Sequence, residues 1–302
     1  MKGRETRRLA ITLVLLMTLG ASAWLRAGSQ APEEEKTVTT VKDSLKAEPA
    51  WKGKLAGSAN LTQTSYSNWA KGGENTIAWS IRIDGDATHT GKKWSWHFTN
   101  ITLFGQTKQE AEPIRNTLDK VDMDGTVSCK INKYVNPFFS VGILTQLARG
   151  YDYKKTPAEL KSDFWDPAYV TQSIGARIQI KKAVNSQLGM GFKETMTRDL
   201  IQYSDDPKTE KTERFKFETG ITSKTHINAK LSSIFSVRSK LELFSSFEAL
   251  DIVDMNWDTL LTAKLNKYII VTLNVLLNYD KDVLNKLQFK EITALGLSYT
   301  FI

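Results

Sequence analysis

Apolar and polar residues alternate with a period of two along most of the chain after residue 50. In residues 77–84, Ile77, Trp79, Ile81 and Ile83 share one parity, and Ala78, Ser80, Arg82 and Asp84 share the other. Such alternation indicates β-strands with one apolar and one polar face. Beyond residue 50 no segment shows helical spacing or approaches the roughly 20 apolar residues that a membrane-spanning helix requires. The pattern predicts an all-β chain.

We predict twelve strands, separated by turn residues. They cover residues 53–66, 76–89, 93–106, 117–131, 136–149, 168–181, 186–198, 212–229, 234–247, 256–266, 269–279 and 287–302. The connections after strands two, four, six, eight and ten are short, whereas those after strands three, five and seven are long. This asymmetry is typical of outer-membrane barrels, and a soluble two-sheet sandwich does not explain it. A closed barrel also satisfies its backbone hydrogen bonds in lipid. The predicted fold of residues 51–302 is a transmembrane antiparallel β-barrel of outer-membrane type with about 12 strands.

The last predicted strand carries the same pattern to the end of the sequence. Leu295, Leu297, Tyr299 and Phe301 alternate there with Gly296, Ser298 and Thr300. An aromatic residue beside the C-terminus of an alternating strand is how outer-membrane barrels usually finish. We therefore expect outer-membrane lipid around the barrel and recognition of this strand by the outer-membrane barrel assembly machinery.

The N-terminal residues predict export. Lys2, Arg4, Arg7 and Arg8 precede an apolar run over Leu9–Leu19, and Ala21-Ser22-Ala23 provides a small-x-small cleavage site. These features are those of a signal peptide over residues 1–23, with cleavage as late as residue 31 at Ser29-Gln30-Ala31. Residues 24–50 lack periodicity and predict a flexible periplasmic segment. The expected location is the bacterial outer membrane, reached through the general secretory pathway.

Charge and cysteine content exclude some functions. The formal net charge of +8 falls to about +4 without residues 1–31, which hold five basic residues and one acidic residue. This charge is too small, and too evenly spread, to indicate a nucleic-acid partner. The single cysteine, Cys129, cannot form an internal disulfide.

The polar parity of the predicted strands places charges of both signs inside the barrel. The candidate lumen residues are Arg82, Asp84, Asp86, Asp122, Asp124, Lys130, Arg177, Lys193, Arg238, Lys240, Glu242, Asp258 and Lys264. Charges in a narrow interior are paired or hydrated, because an unpaired charge away from water is very unfavourable. A hydrated lumen predicts a passive channel or specific pore for small polar solutes. A crosslinked lumen predicts a non-conducting barrel whose outer loops, 150–168 and 199–211, bind a partner or surface polymer.

The sequence does not predict an enzyme. The three histidines, His89, His97 and His226, are each followed two residues later by something other than the serine that a barrel lipase pairs with histidine. Carboxylates spaced two apart occur at Asp84 and Asp86, Asp122 and Asp124, and Asp280 and Asp282. Two carboxylates do not make a calcium site, which takes roughly 6–8 ligands. We predict no catalytic residues, cofactor or metal, although the third pair leaves outer-loop calcium or cation bridging of lipopolysaccharide open.

One loop resembles a known family. Residues 67–75 read Ser-Asn-Trp-Ala-Lys-Gly-Gly-Glu-Asn and resemble the W-x-x-G-G-x-N signature of the DUF3078 family, uncharacterised outer-membrane β-barrel proteins of the Bacteroidetes. Residues 254–257, 265–268, 278–280 and 295–301 are similar to its C-terminal third, so the resemblance covers about residues 51–302. It implies the barrel fold and the outer membrane, and it implies no activity.

The residues of this loop suggest a structural role. Gly72 and Gly73 permit a tight return between strands, Asn75 can close the turn with its side chain, and Trp69 can anchor the loop at the headgroups. The alternative is a loop that folds inward and plugs or lines the pore.

Overall fold

The computed structural model describes residues 51–65, 74–110, 112–180, 183–206, 209–281 and 284–301. The chain divides into two compact units, Met1–Ala47 and Glu48–Ile302, of which only the second contains described residues. The predicted signal peptide over 1–23, the segment 24–50 and the loop residues Trp69, Gly72 and Gly73 therefore lie outside the described ranges.

The second unit is built from β-strands. In chain order they are β1 (Trp51–Thr64), β2 (Thr76–Thr90), β3 (Trp94–Gln109), β4 (Arg115–Cys129), β5 (Val135–Thr145), β6 (Gly150–Asp152), β7 (Glu159–Ser162), β8 (Ala168–Ile180), β9 (Val184–Met196), β10 (Phe215–Lys230), β11 (Phe235–Ser246), β12 (Asp254–Lys264), β13 (Ile269–Asp280) and β14 (Leu284–Thr300). A short 3-10 helix, Ile201–Tyr203, lies between β9 and β10. No helix in these described ranges is long and apolar enough to cross a membrane.

Twelve of the described strands close into one antiparallel barrel. Their order around the barrel is β1-β14-β13-β12-β11-β10-β9-β8-β5-β4-β3-β2. Each strand pairs with its neighbours along the barrel, and β6 and β7 form a separate two-stranded sheet in the connection between β5 and β8. The prediction of a twelve-stranded antiparallel barrel is confirmed, and every predicted strand overlaps a barrel strand.

The two ends of the barrel differ. The connections 91–93, 130–134, 181–183, 231–234 and 265–268 lie at one end, which we call the turn end. The opposite end, the loop end, carries the long connections 146–167 and 197–214. The connection between β3 and β4 was predicted to be long, and this prediction is wrong. The strand register extends β3 to Gln109 and brings Thr107 opposite Arg115. Only 110–114 remain between these strands.

The outer wall of the barrel is apolar. Large apolar side chains are exposed along it, including Ile81 (45% exposed), Ile174 (56%), Met190 (54%), Phe217 (52%) and Leu297 (63%). Soluble monomers rarely expose apolar patches of this extent. The inner wall holds the polar parity, with Asp122, Lys240 and Asp258 buried, although Leu103 and Leu260 also face inward beside charges.

The barrel closes through a short seam between β1 and β14. The ladder pairs Ala56–Ala59 on β1 with Leu297–Thr300 on β14, and the Phe301 backbone N–H donates to the Leu55 carbonyl at 2.8 Å just beyond it. By contrast, β1 pairs with β2 from Trp51 to Thr64. The seam lies towards the turn end and holds the first and last strands together over about a quarter of their length.

Candidate functional site

A cluster of charged side chains crosses the lumen between opposite walls. We call it the ionic layer: Lys120, Asp122 and Asp124 on β4, Lys224 on β10, Lys240 and Glu242 on β11, and Asp258 on β12. Alternation along each strand turns these residues inward, and antiparallel pairing sets Lys224 opposite Glu242 and Lys240 opposite Asp258. Residues far apart in the sequence therefore meet at one height in the barrel.

Lys240 lies at the centre of the ionic layer. Its Nζ is 2.6 Å from Asp122 Oδ1, 3.2 Å from Glu242 Oε1 and 3.7 Å from Asp124 Oδ2. Lys224 pairs with Asp124 and lies 3.0 Å from Glu242 Oε1. Each of these ion pairs joins groups that would be costly to bury alone.

The ionic layer closes the lumen at this height. Lys120 Nζ completes it with contacts of 3.1 Å to Asp122 Oδ2 and 3.2 Å to Asp258 Oδ2. Lys240 is only 5% exposed, Asp122 4% and Asp258 5%, so the side chains fill the cross-section rather than line an open pore. Asn274 Nδ2 also donates to Asp258 Oδ1 at 2.7 Å, which fixes that carboxylate against β13.

Above the ionic layer, a vestibule occupies the loop end of the barrel. Its cavity volume is about 320 Å³, and its lining includes Tyr169, Lys193, Phe244, Asp254 and Tyr279 from the loop-end parts of the strands. Asp122, Lys224 and Glu242 also line it, so the vestibule ends on the ionic layer. The space therefore joins the loop end to the charged cross-section of the barrel.

Lys193 is held inside the vestibule by three carboxylates. Its Nζ lies 2.8 Å from Asp254 Oδ2, 3.7 Å from Asp280 Oδ2 and 3.9 Å from Glu218 Oε2. The ammonium also lies 5.4 Å from the ring centroid of Phe244. Carboxylates outnumber this lysine, so the vestibule wall is acidic on the β9–β13 side.

The long loops form an ordered rim around the vestibule. Asp166 is fully buried and accepts hydrogen bonds from the backbone N–H groups of Arg198 (3.2 Å), Asp199 (2.8 Å) and Leu200 (3.2 Å). Tyr203 Oη donates to the Lys161 carbonyl at 3.1 Å, which ties the 3-10 helix to β7. Lys161 and Tyr203 both line the vestibule, so the connections 146–167 and 197–214 supply part of its wall.

Asp163, at the start of the turn that ends at Asp166, also connects the two loops of the rim. Its carboxylate pairs with Arg149 Nε at 3.2 Å and Arg198 Nη2 at 3.0 Å. The Phe164 backbone N–H, together with these guanidinium groups, lowers the pKa of the Asp163 carboxyl. Burial raises the pKa of Tyr203, which keeps its hydroxyl a proton donor. We call Arg149, Asp163, Asp166 and residues 198–200 the loop clamp.

The turn of the loop clamp presents two aromatic side chains to solvent. Phe164 is 58% exposed and Trp165 is 42% exposed, and Trp165 has a positive φ of 56°. Sequence analysis offered the 150–168 loop as an outer loop that binds a partner or surface polymer. In the structure, Lys161 and Pro167 of this connection line the vestibule, whereas Phe164 and Trp165 are exposed.

On the turn side of the ionic layer lies a second group of charges. Asp84 on β2 accepts from Arg82 Nε, 3.0 Å away, and is 2.6 Å from Nη1 of Arg238 on β11. The Asp84–Arg238 pair crosses the lumen. Lys54 on β1 interacts electrostatically with both Arg238 and Asp84. We call Lys54, Arg82, Asp84 and Arg238 the turn-side group.

Most of the predicted lumen residues lie where the alternation placed them. Asp122, Asp124, Lys240, Glu242 and Asp258 meet in the ionic layer, Lys193 lies in the vestibule, and Arg82, Asp84 and Arg238 lie in the turn-side group. Arg177 lies near the turn end, where its Nη2 donates to Asn185 Oδ1 at 3.1 Å. Asp86 is 3.1 Å from His97 Nε2.

Two predicted lumen residues lie at the turn end instead. Lys130 follows the last residue of β4, is exposed, and donates from Nζ to the Gly91 carbonyl at 2.7 Å. Lys264 is the last residue of β12 and is also exposed. Both keep the inward parity, but they reach solvent because their strands end there. At the other end, Asn75 bonds through its backbone N–H to Glu110 Oε1 at 3.1 Å, which ties the start of β2 to the end of β3.

Sequence analysis missed two lysines of the ionic layer. Lys120 shares the parity of Asp122 and Asp124, and Lys224 shares the parity of Glu218 and His226 on β10. A systematic count of same-parity charges on every strand would have found both. Without these lysines, the carboxylates of the layer would have outnumbered its cations four to one.

Each of the three histidines lies close to another ring. The rings of His97 and His226 are 6.4 Å apart, and the ring of His89 lies 5.0 Å from that of Trp51. In the part of the chain that the structure describes, no group of three or more His, Cys, Asp or Glu residues is placed to hold a metal ion. Asp282, from the third predicted carboxylate pair, lies outside that part.

Comparison with known proteins gives one family and several barrels. The model of the family described as "Protein of unknown function (DUF3078)" matches residues 61–151, which confirms the predicted resemblance over that range. No curated protein matches the chain.

Among solved structures, the chain is similar to the translocator domain of the autotransporter NalP from Neisseria meningitidis, with 7% identity, a TM-score of 0.34, and coverage of 85% of this chain and 91% of that one. It is also similar to an outer membrane channel from Pseudomonas putida F1, with 9% identity, a TM-score of 0.38, and coverage of 87% and 99%. Both similarities concern the barrel fold alone.

Proposed function

We propose that the protein is an outer-membrane barrel that passes small polar solutes, with the ionic layer as its gate. The observation that carries this proposal is the vestibule of about 320 Å³, which ends on the charged side chains of the ionic layer, among them Lys120, Lys224 and Glu242. The proposed process is passive movement of solute, with no catalytic step and no cofactor.

The outer surface supports the membrane location. Exposed apolar side chains such as Ile174, Met190 and Leu297 cover the outer wall, while charged groups are gathered inside. This arrangement suits a barrel surrounded by lipid, since a bilayer solvates apolar side chains and the closed sheet satisfies the backbone. Trp94, Tyr134 and Tyr268 are exposed near the turn end, where amphipathic rings fit a headgroup zone.

The gate is assigned to the ionic layer because rotations of side chains are enough to open it. Lys224 and Lys240 are long side chains on adjacent strands, and both reach across to carboxylates on β4. A rotamer change of either lysine leaves the backbone of the barrel in place. In the closed state the carboxylates hold these lysines. Once a lysine has rotated away, solute and water from the vestibule reach the same carboxylates.

Removing one ion pair from the ionic layer tests the gate. The double variant Lys224→Ala with Asp124→Ala deletes a cation and an anion together, so the net charge of the layer is unchanged. Glu242 keeps Lys240 at 3.2 Å, and Asp122 keeps Lys240 and Lys120. The matched control is Lys155→Ala with Glu159→Ala, an exposed ion pair in the loop-end hairpin.

Single-channel conductance in a planar bilayer is the measurement. We expect brief or small currents from the wild-type protein and larger, longer openings from the double variant, with the control resembling wild type. Folding is checked by heat-modifiable gel mobility. If folded wild-type protein and the folded double variant are both silent, the channel proposal is wrong.

A second function is favoured by the burial of the ionic layer. Paired charges of which most, such as Asp122, Lys240 and Asp258, are buried also suit a permanently closed barrel that presents its loops. The loop clamp would then hold Phe164 and Trp165 ready for a partner or surface polymer. Silent bilayers, together with loss of a copurifying component on Trp165→Ser, would support this alternative over the channel.

Export and assembly belong to the same proposal. We take β14 as the strand that the outer-membrane assembly machinery recognises, since Tyr299 on β14 and Phe301 directly after it are exposed. Replacing Phe301 with Ser should lower the amount of folded protein in the outer-membrane fraction. An unchanged amount would argue against recognition through this residue.

A further inference from the structure

The turn-side group contains buried hydrogen-bond donors that the barrel itself does not satisfy. Arg82 is 6% exposed, and its Nε donates to Asp84. Both terminal nitrogens, Nη1 and Nη2, are buried, and no residue in the described ranges accepts a hydrogen bond from them. A guanidinium carries five N–H donors, so most of the hydrogen-bonding capacity of Arg82 is left for something else. Unsatisfied buried donors of a charged group are strongly unfavourable.

The carboxylates nearest to Arg82 already have partners. Besides Asp84, the negative charges acting on Arg82 are Asp258 and Asp122. Asp258 is engaged by Lys120 at 3.2 Å and by Asn274, and Asp122 is engaged by Lys240 at 2.6 Å. Leu103, directly opposite Arg82 on β3, offers no acceptor. No carboxylate in the described ranges accepts a hydrogen bond from the terminal N–H groups of Arg82.

Positive charge is in excess on this side of the ionic layer. Asp84 serves both Arg82 and Arg238. Lys54 adds a third cation, and it also feels Lys230 and Lys264 from the ends of β10 and β12. Asp86 is a second carboxylate on this side: it lies opposite Lys54 and interacts electrostatically with Arg238. Two carboxylates thus stand among several cations drawn from strands around the lumen.

Exposure of these cations decreases from the turn end inward. Lys54, Lys230 and Lys264 are exposed, the Arg238 side chain is 32% exposed, and the Arg82 side chain is 7% exposed. This series forms a funnel from solvent to the unsatisfied donors. A cationic funnel with low-dielectric walls concentrates anions and speeds their arrival.

We propose that the turn-side group binds a small oxyanion, a phosphate or a carboxylate, through the terminal N–H groups of Arg82 with Arg238 beside it. The fork of a guanidinium matches two oxygens of such an anion, and these charge-assisted hydrogen bonds are the strong ones. The anion enters from the turn end. The site goes beyond the proposed channel, since it lies below the ionic layer and binds whether or not the layer opens.

Isothermal titration calorimetry on the refolded full-length mature barrel in zwitterionic detergent tests the site. Inorganic phosphate is titrated in one arm and acetate in the other, against a chloride background, to separate the two oxyanion sources. The test variant is Arg82→Lys, which keeps the charge beside Asp84 and removes the forked terminal donors. The matched control is Arg198→Lys, an exposed arginine of the loop clamp.

We expect saturable binding of phosphate or acetate by wild type, a loss of about tenfold or more in affinity in Arg82→Lys, and no change in Arg198→Lys. A second variant, Lys54→Gln, alters an exposed residue and is expected to fold. Lys54→Gln should weaken binding less than Arg82→Lys does. It should not make the affinity for the anion more dependent on salt concentration. Absence of binding by wild type, or equal affinities in wild type and folded Arg82→Lys, overturns the proposal. Calorimetry measures binding and not conduction. The anion-site proposal is therefore unaffected if the barrel conducts no current in the planar bilayer, and it is overturned by absence of binding even if the barrel conducts.

Discussion

Lys240 makes the strongest prediction about what holds the lumen together. We consider Lys240→Met, which keeps a long, flexible side chain and removes only the ammonium. In the folded protein Lys240 is 5% exposed, and its ammonium contacts carboxylates on two strands, Asp122 and Asp124 on β4 and Glu242 on β11. Its loss leaves three buried carboxylates with fewer counter-charges.

The magnitude follows from the partners that remain. Breaking a buried ion pair by removing one member costs about 3–5 kcal/mol. Asp122 keeps Lys120 at 3.1 Å, and Glu242 keeps Lys224 at 3.0 Å. The loss therefore falls at the lower end, about 3 kcal/mol, or roughly two powers of ten in the folding equilibrium.

The double variant Lys240→Met with Asp122→Leu reverses part of this loss. It removes the carboxylate that lies nearest to the missing ammonium, while Lys120 keeps Asp258 at 3.2 Å. Replacing both members of a buried pair with apolar residues is often neutral or stabilising. The double variant should therefore be more stable than Lys240→Met alone by about 1 kcal/mol or more.

Reversible urea unfolding from lipid vesicles, followed by tryptophan fluorescence, measures both effects as free energies of unfolding. Lys155→Met, at an exposed ion pair, is the control and should lose less than about 1 kcal/mol. A loss below about 1 kcal/mol in Lys240→Met, or a double variant less stable than the single one, would refute the reasoning about buried charge.

Three further predictions concern the loop clamp and the outer wall. Asp166→Ala removes the acceptor of three backbone N–H groups, so hydrogen exchange at the amides of residues 198–200 should rise by about tenfold or more, with barrel amides unchanged; equal rates would contradict the clamp. Because the folded pKa of Asp163 is lowered, its stabilisation is complete above its unfolded pKa of about 3.9 and is lost as pH falls through the lower folded value; the protection factors of the clamp amides, which compare each exchange rate with the intrinsic rate at the same pH, should therefore be flat from about pH 5 to 8 and fall only below about pH 4, and a fall near neutral pH would assign the effect elsewhere. Met190→Arg, midway along β9 on the outer wall, should lower the free energy of folding into vesicles by about 2–4 kcal/mol, whereas Tyr134→Arg, in a turn, should lower it by only about 0–1 kcal/mol; equal losses at both depths would count against a surrounding bilayer.

The barrel strands could be predicted because they rest on a local signal. Alternation from Ile77 to Asp84 marks the two faces of β2 without any knowledge of its neighbours. The ends of strands depend on pairing instead. β3 continues to Gln109 because Thr76 lies opposite it, and no local pattern in 107–110 announces this.

The ionic layer was partly predictable for the same reason. Parity put Asp122, Lys240 and Asp258 inside the barrel, but their heights depend on the stagger between strands. That stagger brings Lys240 of β11 to Asp122 of β4, on opposite walls. It also leaves Lys130 and Lys264 in solvent, although their parity is inward.

The loop clamp could not be predicted from the sequence. Asp163 and Asp166 look like ordinary loop acids, and their role depends on residues 198–200 of another loop. The short strands β6 and β7 were missed as well, because a three-residue and a four-residue strand carry too little alternation to detect.

The short seam between β1 and β14 sets the order in which the barrel can form. These two strands are the most distant pair along the barrel sequence, so bringing them together has the largest loop-closure cost, and Ala56–Ala59 gives only a few ladder pairs in return. Neighbouring strands pair early because they are joined by short connections. We therefore expect the chain to assemble first as a curled, open sheet and to become a ring only at the final step. Under stress, the ring should open at the same place, with the hairpins still intact.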